Sequence, residues 1–174
     1  VRFEVGRARV VPYVEMPLTS FVHDYLESEG MLGDYKDNRP KAVRCVHPLV
    51  TLLEKFDAMA RRYARDVLEP DSFVRHYEDA AQIIRAVDRL PSIEMTAKAL
   101  AENMLAQKDI AALPNETAPS LVLSEPTKRA LVEQAYNEIA PMFWGKRIPL
   151  DEARQIILDW ASALQDSGRR QSPA

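Results

Sequence analysis

The longest regular pattern in the chain runs from His47 to Val87. Leu49, Leu52, Leu53, Phe56, Ala60 and Tyr63 recur at helical spacing and predict an amphipathic helix with one buried stripe. Pro48 suits the first turn of that helix. Glu69-Pro70-Asp71-Ser72 then breaks the pattern and is expected to cap a second helix. Phe73, Tyr77, Ala80, Ile84 and Val87 give the second helix its stripe, and Pro91 ends it. Ser92-Ile93-Glu94-Met95 predicts the start of a third helix running to about Gln107. Residues 111–124 read as a connection with Leu121-Val122-Leu123 locally extended. Glu125-Pro126-Thr127 opens a fourth helix, reaching about Ala140. Met142-Phe143-Trp144-Gly145 is an apolar corner. The last helix opens at Pro149-Leu150-Asp151-Glu152, with Ile156, Ile157, Trp160 and Leu164 as its stripe. Residues 167–174 are polar and are expected to be a disordered tail.

Ahead of His47 the period changes. VRFEVG, residues 1–6, alternates apolar and polar positions as a short strand does. ARVVPYV continues extended, with Pro12 restricting it to an edge or a bend. Residues 18–29 predict a short helix started by Thr19 or Ser20. Gly30, Gly33, Asp34, Asp37, Asn38 and Pro40 mark a loop, and KAVRCV a second strand. Two strands alone rarely make a stable sheet, so VRFEVG and KAVRCV require partners. The fold class expected is therefore mainly α with a small β component: short N-terminal strands, then about five helices in a bundle.

Composition narrows the function classes. The length of 174 residues suits one domain, or one domain plus an appendage, and 47% apolar residues allow a real core. The net charge of −3 gives no global field for nucleic acid. With one cysteine, Cys45, an intrachain disulfide and a multi-cysteine zinc site are both excluded, which fits a reducing cytoplasm. No apolar run approaches the roughly 20 residues of a membrane span, so no membrane role is expected. The chain opens at Val1, already inside a strand pattern, as if an upstream segment preceded it.

Candidate chemistry is sparse. Lys55 borders the buried stripe of the first long helix, and Arg62 follows on the same face. Its ordinary role would be to lay its stem over apolar surface. Its functional role would be to place a compact charge on a phosphate chain. Asp79 lies four residues after Arg75, the spacing of a surface ion pair; otherwise it is an acceptor that fixes a lysine or a ligand hydroxyl. Glu4 is either an outward strand residue or a hard oxygen ligand for Mg²⁺. His23, His47 and His76 lack metal-ligand spacing. A Gly-rich phosphate loop is missing, and nothing marks a nucleophile. Trp144 and Trp160 read as core.

The order of these segments resembles the C-terminal half of the AbiEii/AbiGii toxin-type nucleotidyltransferases, the MenT-like group of type IV toxin–antitoxin systems. VRFEVG resembles that family's strand "V-x-I-E-F-G", and VVPYV its extended "P-Y-V". Pro48, Thr51, Glu54 and Lys55 match "P-x-x-T-x-x-E-K". Arg75, His76, Tyr77, Glu78 and Asp79 match "R-H-Y-Y-D", with Glu78 in place of an aromatic; Ala80 stands where a leucine is common. Leu121, Leu123, Pro126, Tyr136 and Met142-Phe143-Trp144-Gly145 follow the family's closing segments, so the likeness spans residues 1–166.

The resemblance implies a division into a remnant of the nucleotidyltransferase α/β core (1–46), a helical domain (47–166) and the tail (167–174). It implies transfer of a nucleotide from an NTP to an acceptor such as tRNA, with Mg²⁺, countered by a cognate antitoxin protein. Lys55 and Asp79 would be the catalytic pair. Lys55, Arg75 and His76 would bind the nucleotide, and Glu4 would serve the metal. The family's paired metal-binding carboxylates precede the strand acid and are not found in this sequence, so this chain alone is expected to be inactive. The rival expectation is a non-catalytic helical interaction module, or a degraded relative that keeps only the scaffold.

Overall fold

In the computed structural model, which describes residues 9–37, 39–143 and 145–169, the chain divides after His47 into two compact units. The first contains strand β1 (Tyr13–Met16), helix α1 (Phe21–Ser28) and strand β2 (Val43–Val46). β1 and β2 pair antiparallel, with Tyr13 opposite Val46 and Met16 opposite Val43. The partner that KAVRCV requires is thus supplied by the segment after Pro12, whose carbonyl accepts from His47 N at 2.9 Å. VRFEVG lies outside the described residues, and Glu4 with it. Ser20 caps α1 by accepting from His23 N at 3.2 Å, the role its position predicts. None of the residues of α1 is buried, and Phe21 is 95% exposed.

The second unit is helical: α2 (Pro48–Tyr63), α3 (Arg75–Arg85), α4 (Ala97–Ala106), the short α5 (Pro119–Val122), α6 (Pro126–Glu138) and α7 (Leu150–Arg169). The molecule is therefore mainly helical, with a small two-stranded antiparallel sheet among the described residues. α3 lies between α2 and α7 and packs on both. Leu52, Leu53 and Met59 of α2, Tyr77 and Ala80 of α3, and Ala153 and Ile157 of α7 are fully or almost fully buried. The alanines on α3 and α7 permit close approach of the two helices. Trp160 is half-buried with its ring 5.5 Å from that of Phe56, and Ile156 is half-buried too, so the α7 stripe is centred on Ala153, Ile157, Ala161 and Leu164.

Several boundaries differ from the sequence pattern, each for a physical reason. Ser72 does not cap α3: it sits in a 3₁₀ turn, Pro70–Ser72, and its hydroxyl donates to Glu69 O. α3 starts after Val74 with no side-chain cap. α4 begins at Ala97 rather than Ser92, because Thr96 accepts from Ala99 N at 3.1 Å and forms the cap. Leu121-Val122 is helical rather than extended, and Leu123 ends α5 in the left-handed region at φ 50°. α7 continues to Arg169, into the segment expected as a tail.

Candidate anion site at the junction of α2 and α3

Lys55 is on the second turn of α2, and its position follows from the stripe around it. Leu52, Leu53, Phe56 and Met59 bury the helix against its neighbours, so the residue at the stripe's border emerges where α2 meets α3. Asp79 holds the matching place on α3, one turn after His76. The Lys55 ammonium donates to Asp79 Oδ2 at 2.6 Å. The Lys55 side chain is 18% exposed and that of Asp79 36%, so the pair is reachable from solvent without being fully solvated. Asp79 pairs with this lysine, 24 residues back, rather than with Arg75 four residues back.

His76 stands behind the pair and is buried. Arg62, two turns after Lys55 on α2, donates from Nη1 to His76 Nε2 at 3.2 Å and also to Ser72 O. A guanidinium has no acceptor, so Nε2 contributes its lone pair and the ring hydrogen sits on Nδ1. Nδ1 lies 4.0 Å from Asp79 Oδ2, beyond hydrogen-bond distance. Burial pushes the Asp79 carboxyl up, but the His76 imidazole and the Lys55 ammonium beside Oδ2 outweigh it and hold the group below its ordinary value. Arg75 is exposed at the first residue of α3, open to solvent beside the cluster.

The structure thus brings Lys55, Asp79 and His76 together, places Arg75 at the same helix start, and adds Arg62, whose place seven residues after Lys55 on one helical face is the signal for it in the sequence. Glu78, next in sequence to Asp79, points the other way. Its carboxylate is buried and accepts from Arg147 Nε at 2.8 Å, Ile148 N at 3.1 Å and Tyr136 Oη at 3.3 Å. Arg147 lies between the rings of Tyr136 and Phe143, 4.4 and 4.5 Å from their centroids. Burial, with the Glu78 charge, pushes the Tyr136 phenol up to about 12. This cluster is architecture: it fixes the start of α7 against α3.

The arrangement does not itself build a Mg²⁺ site. A hard dication takes several oxygen ligands, while the Asp79 carboxylate is engaged by Lys55 and that of Glu78 by Arg147. In the other unit, His23, Asp24 and Glu27 of α1 bring ligand atoms within 4.8 Å of one another, a grouping that histidine spacing alone does not reveal. Two of these groups already have partners: Thr19 Oγ1 donates to Asp24 at 2.6 Å, and Arg39 Nη1 stands 3.3 Å from His23 Nδ1.

None of the described helices is long and apolar enough to cross a membrane. Compared with protein-family models, curated proteins and solved structures, the chain matches none.

Proposed function

We propose that the chain is the C-terminal portion of a toxin-type nucleotidyltransferase, one that transfers a nucleotide from an NTP to an acceptor such as tRNA and is held in check by an antitoxin protein. The observation that carries this reading is the Lys55–Asp79 pair, which draws two residues 24 positions apart to 2.6 Å at a helix junction open to solvent. In the transfer an acceptor hydroxyl oxygen bonds to the α-phosphorus, the bond to the bridging oxygen breaks, pyrophosphate leaves with that bond's electron pair, and the hydroxyl proton passes to water. Negative charge builds on the departing phosphates. A positioned ammonium stabilises that charge, and a carboxylate beneath it keeps the ammonium protonated and aimed. Lys55 and Asp79 are suited to these roles, and the exposed Arg75 to a second contact with the phosphate chain. The Mg²⁺ chemistry of such enzymes would need carboxylates beyond those described at this junction.

The test is Lys55→Ala in the complete protein expressed from its own locus. Loss of nucleotide transfer with an unchanged circular dichroism spectrum is the expected result. Undiminished transfer would remove Lys55 from the chemistry. Absence of any metal-dependent NTP binding in the wild-type protein would favour a helical interaction module instead.

A further inference from the structure

Asp79 Oδ2 is approached by two donors and occupied by one. Lys55 Nζ takes it at 2.6 Å, while His76 Nδ1 stops 4.0 Å from the same oxygen. The His76 side chain is 9% exposed, and its Nδ1 is buried without a hydrogen-bond partner among the described residues. A buried N–H left without an acceptor is costly, and such groups are rare in folded proteins. The ring cannot turn over to find one, because Arg62 holds Nε2 as acceptor and itself donates to Ser72 O. The carboxylate oxygen that Lys55 would vacate on turning to an anion lies 4.0 Å from this idle N–H. The gap exceeds an ordinary hydrogen bond by about 1 Å, within reach of a small side-chain torsion.

We infer that His76 is a positioning residue that takes over Asp79 when Lys55 moves onto a phosphate chain; this rests on the phosphate-binding reading of Lys55 proposed above. Lys55 then leaves without stranding a half-buried carboxylate, and Nδ1–H gains the acceptor it lacks. Arg62 contributes at one remove, by fixing which ring nitrogen carries the hydrogen. The exchange makes the lysine cheaper to release than its short ion pair suggests.

The experiment uses the 174-residue chain with inorganic tripolyphosphate as probe, followed by nitrogen-15 NMR of the imidazole ring. On saturation the Nδ1-bound proton of wild-type His76 is expected to become protected from exchange and to shift downfield. His76→Asn, whose amide nitrogen falls near the Nδ1 position, should bind within about threefold of wild type. His76→Gln, which mimics the Nε2 side alone, should bind about tenfold more weakly, the worth of one hydrogen bond to a charged group. Binding that depends on Lys55 but leaves the Nδ1 proton unchanged, with His76→Gln equal to wild type, overturns the exchange and spares the phosphate-binding reading. Binding that is absent in wild type, or indifferent to Lys55→Ala, overturns both. The NMR arm needs no substitution, so a variant that fails to fold does not blunt the test.

Discussion

Lys55 Nζ and Asp79 Oδ2 lie 2.6 Å apart across the α2–α3 junction, yet the pair holds little of the fold together. With the Asp79 carboxylate 36% exposed, water competes for the pair and holds its contribution to about 1 kcal/mol. Lys55→Met is therefore expected to cost no more than about 1 kcal/mol in urea unfolding while removing tripolyphosphate binding. A loss of about 3 kcal/mol or more, of the size seen when a buried pair is broken, would make the pair architectural and withdraw the role assigned to the lysine.

Asp79 also predicts a pH dependence. Its folded-state pKa lies below the ordinary carboxylate value, so the folded state binds the proton less readily than the unfolded chain does. The stabilisation is present above the ordinary value of about 3.9 and is lost as pH falls through the folded-state value. Asp79→Asn should therefore be less stable than wild type near neutrality, and the two should converge in acid. Denaturant titrations from pH 6 to pH 2 check this. A gap that stays constant over that range would mean that Asp79 is not held by Lys55 and His76.

The part of the site that is legible in the sequence is the part set by local periodicity. The stripe from Leu49 to Tyr63 fixes which side of α2 is buried and leaves Lys55 and Arg62 on its border, with Asp79 placed by the next helix. What stays hidden is decided by long-range partners. In the sequence Glu78 stands out only as a departure from the family pattern, and Arg147 and Ile148, some 70 residues on, are what satisfy its buried carboxylate. His76 lacks metal-ligand spacing in the sequence, and only the fold shows it buried with Arg62 donating to Nε2. Leu121-Val122-Leu123 looks extended by residue type, but Pro119 at the first turn and Arg154 at the carbonyls make it a helical turn. α4 is capped at Thr96 rather than at Ser92 because the Thr96 hydroxyl accepts from Ala99 N.

Glu78 and Asp79 are adjacent, and substitution should separate their roles sharply. Glu78→Ala leaves Arg147 without its carboxylate and Ile148 N without an acceptor, both next to a buried Tyr136. Breaking a buried pair in this way costs about 3 kcal/mol or more. The thermal midpoint of the intact chain should fall by roughly 10 °C, against a few degrees for Asp79→Asn. The double variant Glu78→Ala with Arg147→Met should lose less than the sum of the singles, since the stranded charge is gone. Additive losses in calorimetry would mean that the two residues do not act as a pair.

Arg154 offers the last test, on the turn that the sequence pattern misreads. Its Nε donates to Leu121 O at 2.8 Å, its Nη2 to Val122 O, and its Nη1 to Asp151 Oδ1 at 2.6 Å. The carbonyls that end α5 are thus satisfied by a side chain from α7, the kind of capping a short helix needs when its chain turns away. Leu123, which follows, holds a left-handed conformation that a leucine adopts only under constraint. Arg154→Met removes the donors and should cost about 1–3 kcal/mol, the penalty for buried acceptors left unpaired. Arg154→Lys should recover only part of it, because an ammonium cannot reproduce the fork that spans two carbonyls. The loss should be local as well as global: amide exchange in residues 119–123 should quicken more than in α2 or α3. Uniform exchange across the helices would show that Arg154 supports the unit generally and does not pin this turn.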